Sequence, residues 1–464
     1  MDKFRKYSVA VVLLFFLLAA RSYMTREFWF DESLTLLNFA LLPLEKIYSN
    51  YAIPNNHIGY TMLLHCHRML APETVRLDVW CRLLSLGLAA VFIIRWWSSF
   101  KGFAHRVCLL CFVISLPFVI YATGVRGYMA ALLFSVLALD FGRKFIVHGK
   151  VKYAVGFFFS SFACASVLPS DLFLLGATVF AASGVLKKRF VCEKKFYILG
   201  ALASAAFLLF WGALIPQVIA ASRLGEGWHD RWSSLFAGAV SFTACAPIVV
   251  ICAIASCAVR KQFGSSILSF FCVLPLVFCA KVAPFPRVYF PFFGVFLFVV
   301  SNGATHLLAL MRYKKLLPYK KVKAIFALCC IGAALLVNYL PSSQKVLSQI
   351  NGTAVADDFF TPWYTSKEHR PEETARFLAL RNAEFCYLSF SSDPWSIMFY
   401  TAVNGKSPGN MIFDGPRGRI EELKPGWLAV INKSEDVSTL ESRFKMSFTE
   451  IGRTPMHKIY RAGF

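Results

Sequence analysis

The chain has 464 residues, of which 57% are hydrophobic, and it carries a formal net charge of +23. Soluble globular domains contain about 45–50% apolar residues. This composition, with a mean hydropathy of +0.56, therefore excludes an ordinary soluble protein. Apolar stretches long enough to cross a bilayer recur between residues 7 and 340, which indicates a polytopic membrane protein.

The positive charge is unevenly distributed along the chain. Residues 1–341 contain 34 Lys and Arg against 12 Asp and Glu, whereas residues 342–464 contain 15 against 14. In the first part the basic residues fall mostly in short loops, as the positive-inside rule describes for cytoplasmic loops. The excess therefore indicates membrane topology, and nucleic acid is not expected among the partners.

The first apolar stretch follows a basic start that contains Lys3, Arg5 and Lys6. A cleaved signal peptide has a similar pattern. Because no small-residue cleavage site stands out and many apolar stretches follow, we interpret it as a retained first span with a cytoplasmic N-terminus.

Six basic loops, if all are cytoplasmic, divide the apolar stretches into eleven predicted spans and leave the C-terminus outside. The predicted spans cover approximately residues 7–24, 79–96, 104–121, 128–143, 153–168, 170–186, 196–215, 236–258, 264–282, 288–309 and 324–341. The stretch 57–70 is apolar but short, and it carries three His and one Arg. We interpret it as an interfacial helix on the outer surface, within a first external loop of about residues 25–78.

From Ser342 the charges balance, and Pro, Gly and Asn become frequent. Residues 371–382 begin with Pro and two acids, which predicts a helix. Residues 385–390 and 427–432 read as strands, with a third strand near residues 458–461. The predicted fold class is an all-α polytopic membrane protein with about eleven transmembrane helices and a small C-terminal extracytoplasmic α/β domain. The predicted domains are 1–341, which is catalytic and transmembrane, and 342–464.

Asp31 and Glu32 stand side by side directly after the first predicted span, beside three aromatic residues. A carboxylate near a membrane surface is costly unless it is solvated, paired or used. Such a pair fits a general base that takes a proton from a sugar or phosphate hydroxyl. It also fits the acidic first turn of a helix beginning near Ser33, and both interpretations stay open.

His57 lies in the same external loop, between Asn56 and the aromatic residue Tyr60. A His beside amide side chains can hydrogen-bond a phosphate or a sugar hydroxyl. A turn with an interfacial His explains the motif equally well.

Two arginines lie at the outer ends of predicted spans. Arg126 follows a turn and precedes Tyr128, and Arg287 lies among prolines with Lys281 nearby. A guanidinium can hold a phosphate with its planar fork, or it can simply snorkel to the interface.

Several other polar residues of the outer face are candidates for acceptor or accessory contacts: Arg82, Asp171, Glu226, His229 and Arg231. Acids, histidines and cations thus gather on the outer side of the predicted bundle. This combination suits an anionic, lipid-borne substrate, because cations would hold a phosphate while a carboxylate activates a hydroxyl.

The motifs, taken in order over residues 1–310, resemble the GT-C glycosyltransferases. More narrowly they are similar to bacterial relatives of the protein O-mannosyltransferases and to the lipid A aminoarabinose transferases, of family 39 type. The motifs that carry the resemblance are Asp31-Glu32, Asn56-His57-Ile58-Gly59-Tyr60, Arg82-Leu-Leu-Ser85, Pro117…Tyr121…Arg126-Gly-Tyr128 and Arg287-Val-Tyr-Phe-Pro291. The family's prolines after the His motif and after Arg82-Leu are missing here.

The resemblance implies a polyprenyl-phosphate sugar as donor, an extracytoplasmic acceptor and inversion at the anomeric carbon. Asp31 would be the base or would orient the acceptor, and Glu32 would support it or bind a metal. Arg126, Tyr128 and Arg287 would hold the donor phosphate. Some members use a divalent metal and others do not, and this sequence contains no decisive ligand set.

Two other functions fit part of the pattern. A transporter or flippase for lipid-linked glycans would also have many spans and a cationic cavity, but it predicts charges at mid-membrane depth and often internal repeats. We find no repeats. A non-catalytic scaffold would leave Asp31, Glu32 and the outer cations unexplained.

Overall fold

The computed structural model describes the chain with several internal gaps. The described residues are 2–51, 53–184, 194–222, 231–259, 264–278, 286–313, 319–341, 343, 369–381, 385–404, 410–413, 420 and 422–463. They form two compact units. The helical unit comprises Met1–Thr25 and Pro43–Tyr364, and the sheet unit comprises Arg26–Leu42 and Thr365–Phe464.

The division places one early segment in an unexpected unit. Arg26–Leu42, which contains Asp31 and Glu32, groups with the C-terminal part of the chain. Along the rest of the chain the two units divide between Tyr364 and Thr365, and the predicted domain boundary at residue 341 stays a prediction.

The helical unit is built from helices throughout its described residues. They are α1 Asp2–Met24, α3 Leu44–Ser49, α4 Ile58–Met69, α5 Leu77–Ser99, α6 Phe103–Val113, α7 Leu116–Thr123, α8 Tyr128–His148, α9 Val151–Ala165, α10 Asp171–Ser183, α11 Lys194–Trp211, α12 Ile215–Ala221, α13 Arg231–Cys245, α14 Pro247–Val259, α15 Gly264–Phe271, α16 Leu274–Phe278, α17 Phe292–Tyr313 and α18 Tyr319–Tyr339. Each predicted span coincides with one or two of them, and α4 coincides with the expected interfacial helix. The interfacial position of α4 stays a prediction.

Among the described residues, four helices are long and apolar enough to cross a membrane alone: Leu77–Ser99, Lys194–Ala221, Phe292–Met311 and Lys321–Tyr339. Two bent pairs raise the number to six if each pair is one span. The protein therefore has several membrane-capable helices, while the total of eleven and the orientation stay predictions.

Two of the predicted spans contain sharp breaks. The axes of α6 and α7 differ by 66°, and those of α13 and α14 differ by 104°. Pro117 and Pro247 lie in the first turn after each break, where a proline lacks the N–H and the space that a continuous helix requires.

One buried amide of α18 satisfies backbone groups at both breaks. The side-chain oxygen of Asn338 accepts from the Leu116 N–H at 2.9 Å. Its nitrogen donates to the carbonyls of Ala244, at 2.9 Å, and Ala334, at 2.8 Å. Because unsatisfied backbone groups are costly in an apolar interior, this amide stabilises both bends.

The sheet unit contains a five-stranded sheet of order β2-β1-β3-β5-β4. Its strands are β1 Cys386–Leu388, β2 Met411–Phe413, β3 Leu428–Asn432, β4 Phe448–Arg453 and β5 His457–Ala462. β1 is parallel to β2 and β3, whereas β5 is antiparallel to β3 and β4. Its helices are α2 Phe30–Thr35, α19 Pro371–Leu380, α20 Pro394–Val403 and α21 Ser438–Phe444.

The sheet separates two apolar layers, as the alternation of side chains along strands requires. Ala429 and Ile431 face a cluster that contains Leu440. Leu428 and Val430 face the opposite cluster, which contains Ile397 of α20. The predicted α/β domain, with α19, β1, β3 and β5, is confirmed in the described residues, whereas β2, β4, α20 and α21 were not predicted.

A buried carboxylate, Asp140 of α8, binds three donors in the helical unit. One oxygen accepts from Arg95 at 2.6 Å, from Lys144 at 2.7 Å and from Ser99 at 3.0 Å. Removing the charge of a buried, paired group leaves its partners uncompensated.

Asp140→Asn is therefore expected to lower the free energy of unfolding by about 2 kcal/mol. Thermal unfolding of the detergent-solubilised protein, followed by tryptophan fluorescence, measures the change. The exposed Glu45 provides a matched control, because Glu45→Gln should change stability by less than about 0.5 kcal/mol. Equal stability of the two variants would contradict a structural role for the Asp140 cluster.

Candidate functional site

The acidic pair lies in the short helix α2 of the sheet unit. Glu32 is fully buried and Asp31 is 7% exposed. A carboxylate oxygen of Glu32 accepts from the backbone N–H of Trp29 at 3.2 Å, so Glu32 closes the first turn of the helix. Nη2 of Arg26 lies 3.8 Å from the same oxygen. Glu32 thus has the helix-capping role that the sequence left open, whereas Asp31 is not used for this cap.

The C-terminal part of the sheet unit holds the backbone around this pair. The Phe28 N–H donates to the Tyr400 hydroxyl at 2.8 Å, and the Phe28 carbonyl lies 2.9 Å from Nε2 of His369. The hydroxyls of Ser33 and Ser396 are 3.1 Å apart. These contacts join positions more than 340 residues apart, so the acidic site is assembled from both ends of the chain.

A third buried carboxyl group, Asp393, belongs to the same surroundings. It caps α20 by accepting from the Ser396 N–H at 3.2 Å, and its other oxygen lies 3.8 Å from Nε2 of His369. The pKa of Asp393 is raised to about 7, chiefly by burial and with a smaller contribution from the negative charges of Asp31 and Glu32, while hydrogen bonds from Ser396 act in the opposite direction. Neither Asp393 nor His369 was predicted as a site residue.

Glu27 is another buried acid of this unit, and its pKa is raised as that of Asp393 is. One of its oxygens accepts from the Glu372 N–H at 2.7 Å, and the other lies 3.7 Å from Nη1 of Arg370. Burial raises the pKa of Glu27 to about 7, with a smaller contribution from the charges of Glu372 and Glu373.

The helical unit contains a separate cationic group around His57 and Arg126, both nearly fully buried. Nδ1 of His57 accepts from the Gly127 N–H at 3.0 Å. The proton of the neutral ring is then on Nε2, which lies 3.0 Å from Nη2 of Arg126. Two N–H donors, one of His57 and one of Arg126, therefore face each other. An anion that accepts a hydrogen bond from both would remove this unfavourable contact.

The surroundings of His57 keep its ring neutral. Burial, followed by the positive charges of Arg126 and Arg287, lowers the pKa of His57 well below its ordinary value. The ring of Tyr128 packs edge-on against His57 at 4.7 Å between centroids, and the Arg126 guanidinium lies 5.6 Å from the Tyr128 ring centroid. Arg126 also donates to the backbone carbonyl of Asn55 at 3.2 Å.

Two glycines allow the backbone to lie close to neighbouring side chains around His57. A Cβ at Gly127 would lie 2.7 Å from Nδ1 of His57, and one at Gly59 would lie 2.1 Å from the Ser166 hydroxyl oxygen. Neither space can hold a methyl group without displacing a neighbour.

The structure brings together some of the predicted site residues of the helical unit and gives others local structural contacts. His57, Arg126 and Tyr128 are in direct contact, and the charge of Arg287 acts on His57. Arg82 donates to the Thr123 carbonyl, at 3.4 Å, in the turn before Arg126.

Three other predicted residues have roles in packing. Asn56 donates to the carbonyls of residues 47 and 50, and the Tyr60 hydroxyl lies 2.9 Å from that of Ser85. Asp171 accepts from the Leu168 N–H at 3.1 Å at the start of α10.

The structure gives no side-chain contacts for the remaining predicted site residues. Lys281, Glu226 and His229 lie outside the described residues, and Arg231 is described only as the first residue of α13. Within the described ranges, no group of three or more His, Cys, Asp or Glu could hold a metal ion.

An apolar cavity of about 510 Å³ lies beside the His57 group in the helical unit. It is bordered by α4, α8, α9 and α11, and its lining includes Gly59, Tyr60, Phe134, Phe162 and Phe210. The cavity therefore begins within three residues of His57 along the chain.

Comparisons with solved structures establish the fold. The crystal structure of ArnT from Cupriavidus metallidurans bound to undecaprenyl phosphate matches with a TM-score of 0.53 and 13% sequence identity, over 97% of this chain and 96% of that chain. ArnT from the same organism in the apo state matches with a TM-score of 0.53 and 11% identity, over 98% of both chains. No protein-family model and no curated protein matches the chain.

The resemblance to the aminoarabinose transferases is confirmed at the level of the fold, because ArnT is a lipid A aminoarabinose transferase of the GT-C family. A shared fold does not determine chemistry, so function is argued from the two groups of side chains.

The raised pKa values of Asp393 and Glu27 predict how stability depends on pH. A carboxyl group with a raised pKa in the folded state makes the protein less stable as pH rises from its ordinary value, near 4, toward 7. At pH 8 Asp393→Asn should therefore be more stable than wild type, by at most ~4 kcal/mol.

At pH 4 the free energy of unfolding of Asp393→Asn should equal that of the wild type, since residue 393 is then neutral in both folded proteins. Glu27→Gln should behave in the same way with a smaller amplitude. Chemical unfolding at both pH values measures the difference, and an Asp393→Asn effect that does not change with pH would contradict the raised pKa.

Proposed function

We propose that this chain is an integral membrane glycosyltransferase. It moves one sugar from a polyprenyl-phosphate donor to a hydroxyl of an extracytoplasmic acceptor, with inversion at the anomeric carbon. The observation that carries the proposal is an ArnT-like fold that holds a buried acidic pair and a buried Arg–His group. Undecaprenyl phosphate bound to ArnT supports a polyprenyl-linked donor here.

The acidic pair supplies the base of the proposed reaction. Asp31 takes the proton of the acceptor hydroxyl while the hydroxyl oxygen attacks the anomeric carbon from the face opposite the phosphate. The bond between that carbon and the phosphate oxygen breaks, and polyprenyl phosphate leaves with the electron pair. Glu32 holds the first turn of α2, so it orients Asp31.

The Arg–His group of the helical unit would bind the phosphate of the donor. Arg126 and the neutral His57 both offer N–H donors, and the charge of Arg287 adds positive potential. Preorganised donors stabilise a departing phosphate most strongly where water is excluded. Tyr128 fixes the ring of His57 by packing against it.

The apolar cavity next to His57 suits the lipid part of the donor. Its aromatic lining offers a place for isoprene units, and its lining residue Gly59 follows His57 by two positions in the chain. The class of acceptor stays open among lipid-linked glycans, lipid A, cell-wall polymers and proteins.

Glycosyl transfer by the purified protein in lipid nanodiscs tests the proposed base. The assay uses a panel of polyprenyl-phosphate sugars with membrane extract as acceptor. Asp31→Asn should reduce kcat by on the order of 10²–10⁴-fold, and Glu32→Gln should also reduce it. Asp436→Asn is the control, because this aspartate is exposed in the same unit.

Full activity of a folded Asp31→Asn variant would exclude Asp31 as the base. If wild-type protein binds polyprenyl-linked sugar without transferring it and moves it across vesicles, the flippase function replaces the transferase.

A glycine substitution tests the anion site. Gly127→Ala should displace His57 and raise the KM for the donor by about tenfold or more, without an equal loss of kcat. Gly87→Ala is the matched control, since a Cβ there meets nothing within 4 Å. Arg126→Gln should raise the KM further, because it removes a charged donor. An unchanged KM in both Gly127→Ala and Arg126→Gln would place the donor phosphate elsewhere.

A further inference from the structure

The turn that carries Asp393 lies at the edge of the sheet where ligands commonly bind. β1 runs parallel to β2 and β3, so the carboxyl ends of these three strands share one edge. In open α/β sheets, ligands bind outside the carboxyl ends of such strands. β1 ends at Leu388, and residues 389–393 lead from this edge into α20.

The backbone of Asp393 is held in an uncommon conformation. Its φ is 53° and its ψ is 63°, which is the left-handed region. Asp and Asn are among the few side-chain-bearing residues that tolerate it, and residues held in such conformations cluster at functional sites. The same residue caps α20, so its side chain is fixed at both the turn and the helix start.

The helix that Asp393 begins is also the helix that holds the acidic pair. Ser396, in the first turn of α20, contacts Ser33, and Tyr400, one turn further on, accepts from the Phe28 N–H. His369 completes the arrangement, since its Nε2 lies near both the Phe28 carbonyl and Asp393. A displacement of Asp393 would therefore move the frame of Asp31 and Glu32.

We propose that Asp393 is a third carboxyl group of the catalytic centre, a positioning residue that sets the orientation of Asp31 and Glu32 and the electrostatic potential around them. The inference rests on the proposed glycosyl transfer, and it assigns part of the catalytic centre to the C-terminal sequence.

The electrostatic consequence follows from the groups that face Asp393. These are Asp31 and Glu32 of α2 and His369, which precedes α19, while His457 lies near His369. Neighbouring buried carboxyl groups do not all ionise together. The pKa of Asp393 is raised to about 7, so this carboxyl group changes its charge near neutral pH. When Asp393 ionises, its negative charge adds to the electrostatic potential around Asp31 and favours transfer of the acceptor proton, so kcat should rise with pH through the titration of Asp393.

Asp393→Asn is the informative variant because Asn also tolerates the left-handed conformation and also caps helices. Ser396→Ala is its matched partner, since it removes the contact to Ser33 and leaves every charge in place. The measurement is kcat and donor KM between about pH 5.5 and about pH 9 for the full chain in nanodiscs.

Wild type should show a several-fold rise in kcat through about pH 7, where Asp393 titrates. In Asp393→Asn this rise should disappear while the donor KM stays unchanged. In Ser396→Ala kcat should be lower, and the rise should persist at a higher pH, because this variant loses a side-chain hydrogen bond that lowers the pKa of Asp393. A pH profile of Asp393→Asn that keeps the wild-type rise would overturn the inference, and so would a change confined to the donor KM.

A spectroscopic readout separates this inference from the proposed function. The spectra are recorded in a Glu27→Gln background, which removes the other carboxyl group with a pKa of about 7. Infrared difference spectra without substrate should then show a protonated carboxyl band that is lost as pH rises past about 7. The band should be missing in Asp393→Asn, and in Asp31→Asn it should disappear at a lower pH.

Transfer without any such band leaves the proposed function standing and overturns the role of Asp393. A band that titrates as expected, with no transfer from any donor, confirms the coupled carboxyl group and overturns the proposed function.

Discussion

Charge that is removed from water in this apolar chain needs compensation nearby, and this constraint organises both units. In the helical unit Asp140 binds two cations and a hydroxyl. In the sheet unit Glu32 is joined to the backbone of its own helix and lies near Arg26. For Asp393, burial raises the pKa to about 7, so protonation removes its charge at lower pH. Burying a charge is costly unless it is paired, hydrogen-bonded or neutralised, and the chain uses all three solutions.

Much of the helical architecture can be predicted from the sequence, because long apolar stretches are detected residue by residue. The breaks at Pro117 and Pro247 are harder to predict, since the apolar composition continues through both. At these breaks, the Asn338 side chain of α18 forms hydrogen bonds with backbone groups that are 222 and 94 residues away in the chain. No local pattern contains this information.

The residues of the candidate site likewise fall into those that the sequence predicts and those that only the structure identifies. Asp31, His57 and Arg126 were predicted because each stands out against its immediate neighbours in the sequence. Asn56 and Asp171 stood out too, yet their hydrogen bonds are to nearby backbone groups. Asp393 looked like an ordinary start of a helix before a proline. Its proximity to the acidic pair depends on contacts across more than 340 residues, which only the folded structure reveals.

The membership of Arg26–Leu42 in the sheet unit also determines when the acidic site can form during biosynthesis. These residues leave the ribosome early, but Tyr400 and Ser396 follow only after more than 350 further residues, on the order of tens of seconds later. Until then the segment has none of its C-terminal partners, and the intervening helices are synthesised first. The acidic pair can therefore gain its C-terminal partners only after the hydrophobic region between them has been synthesised.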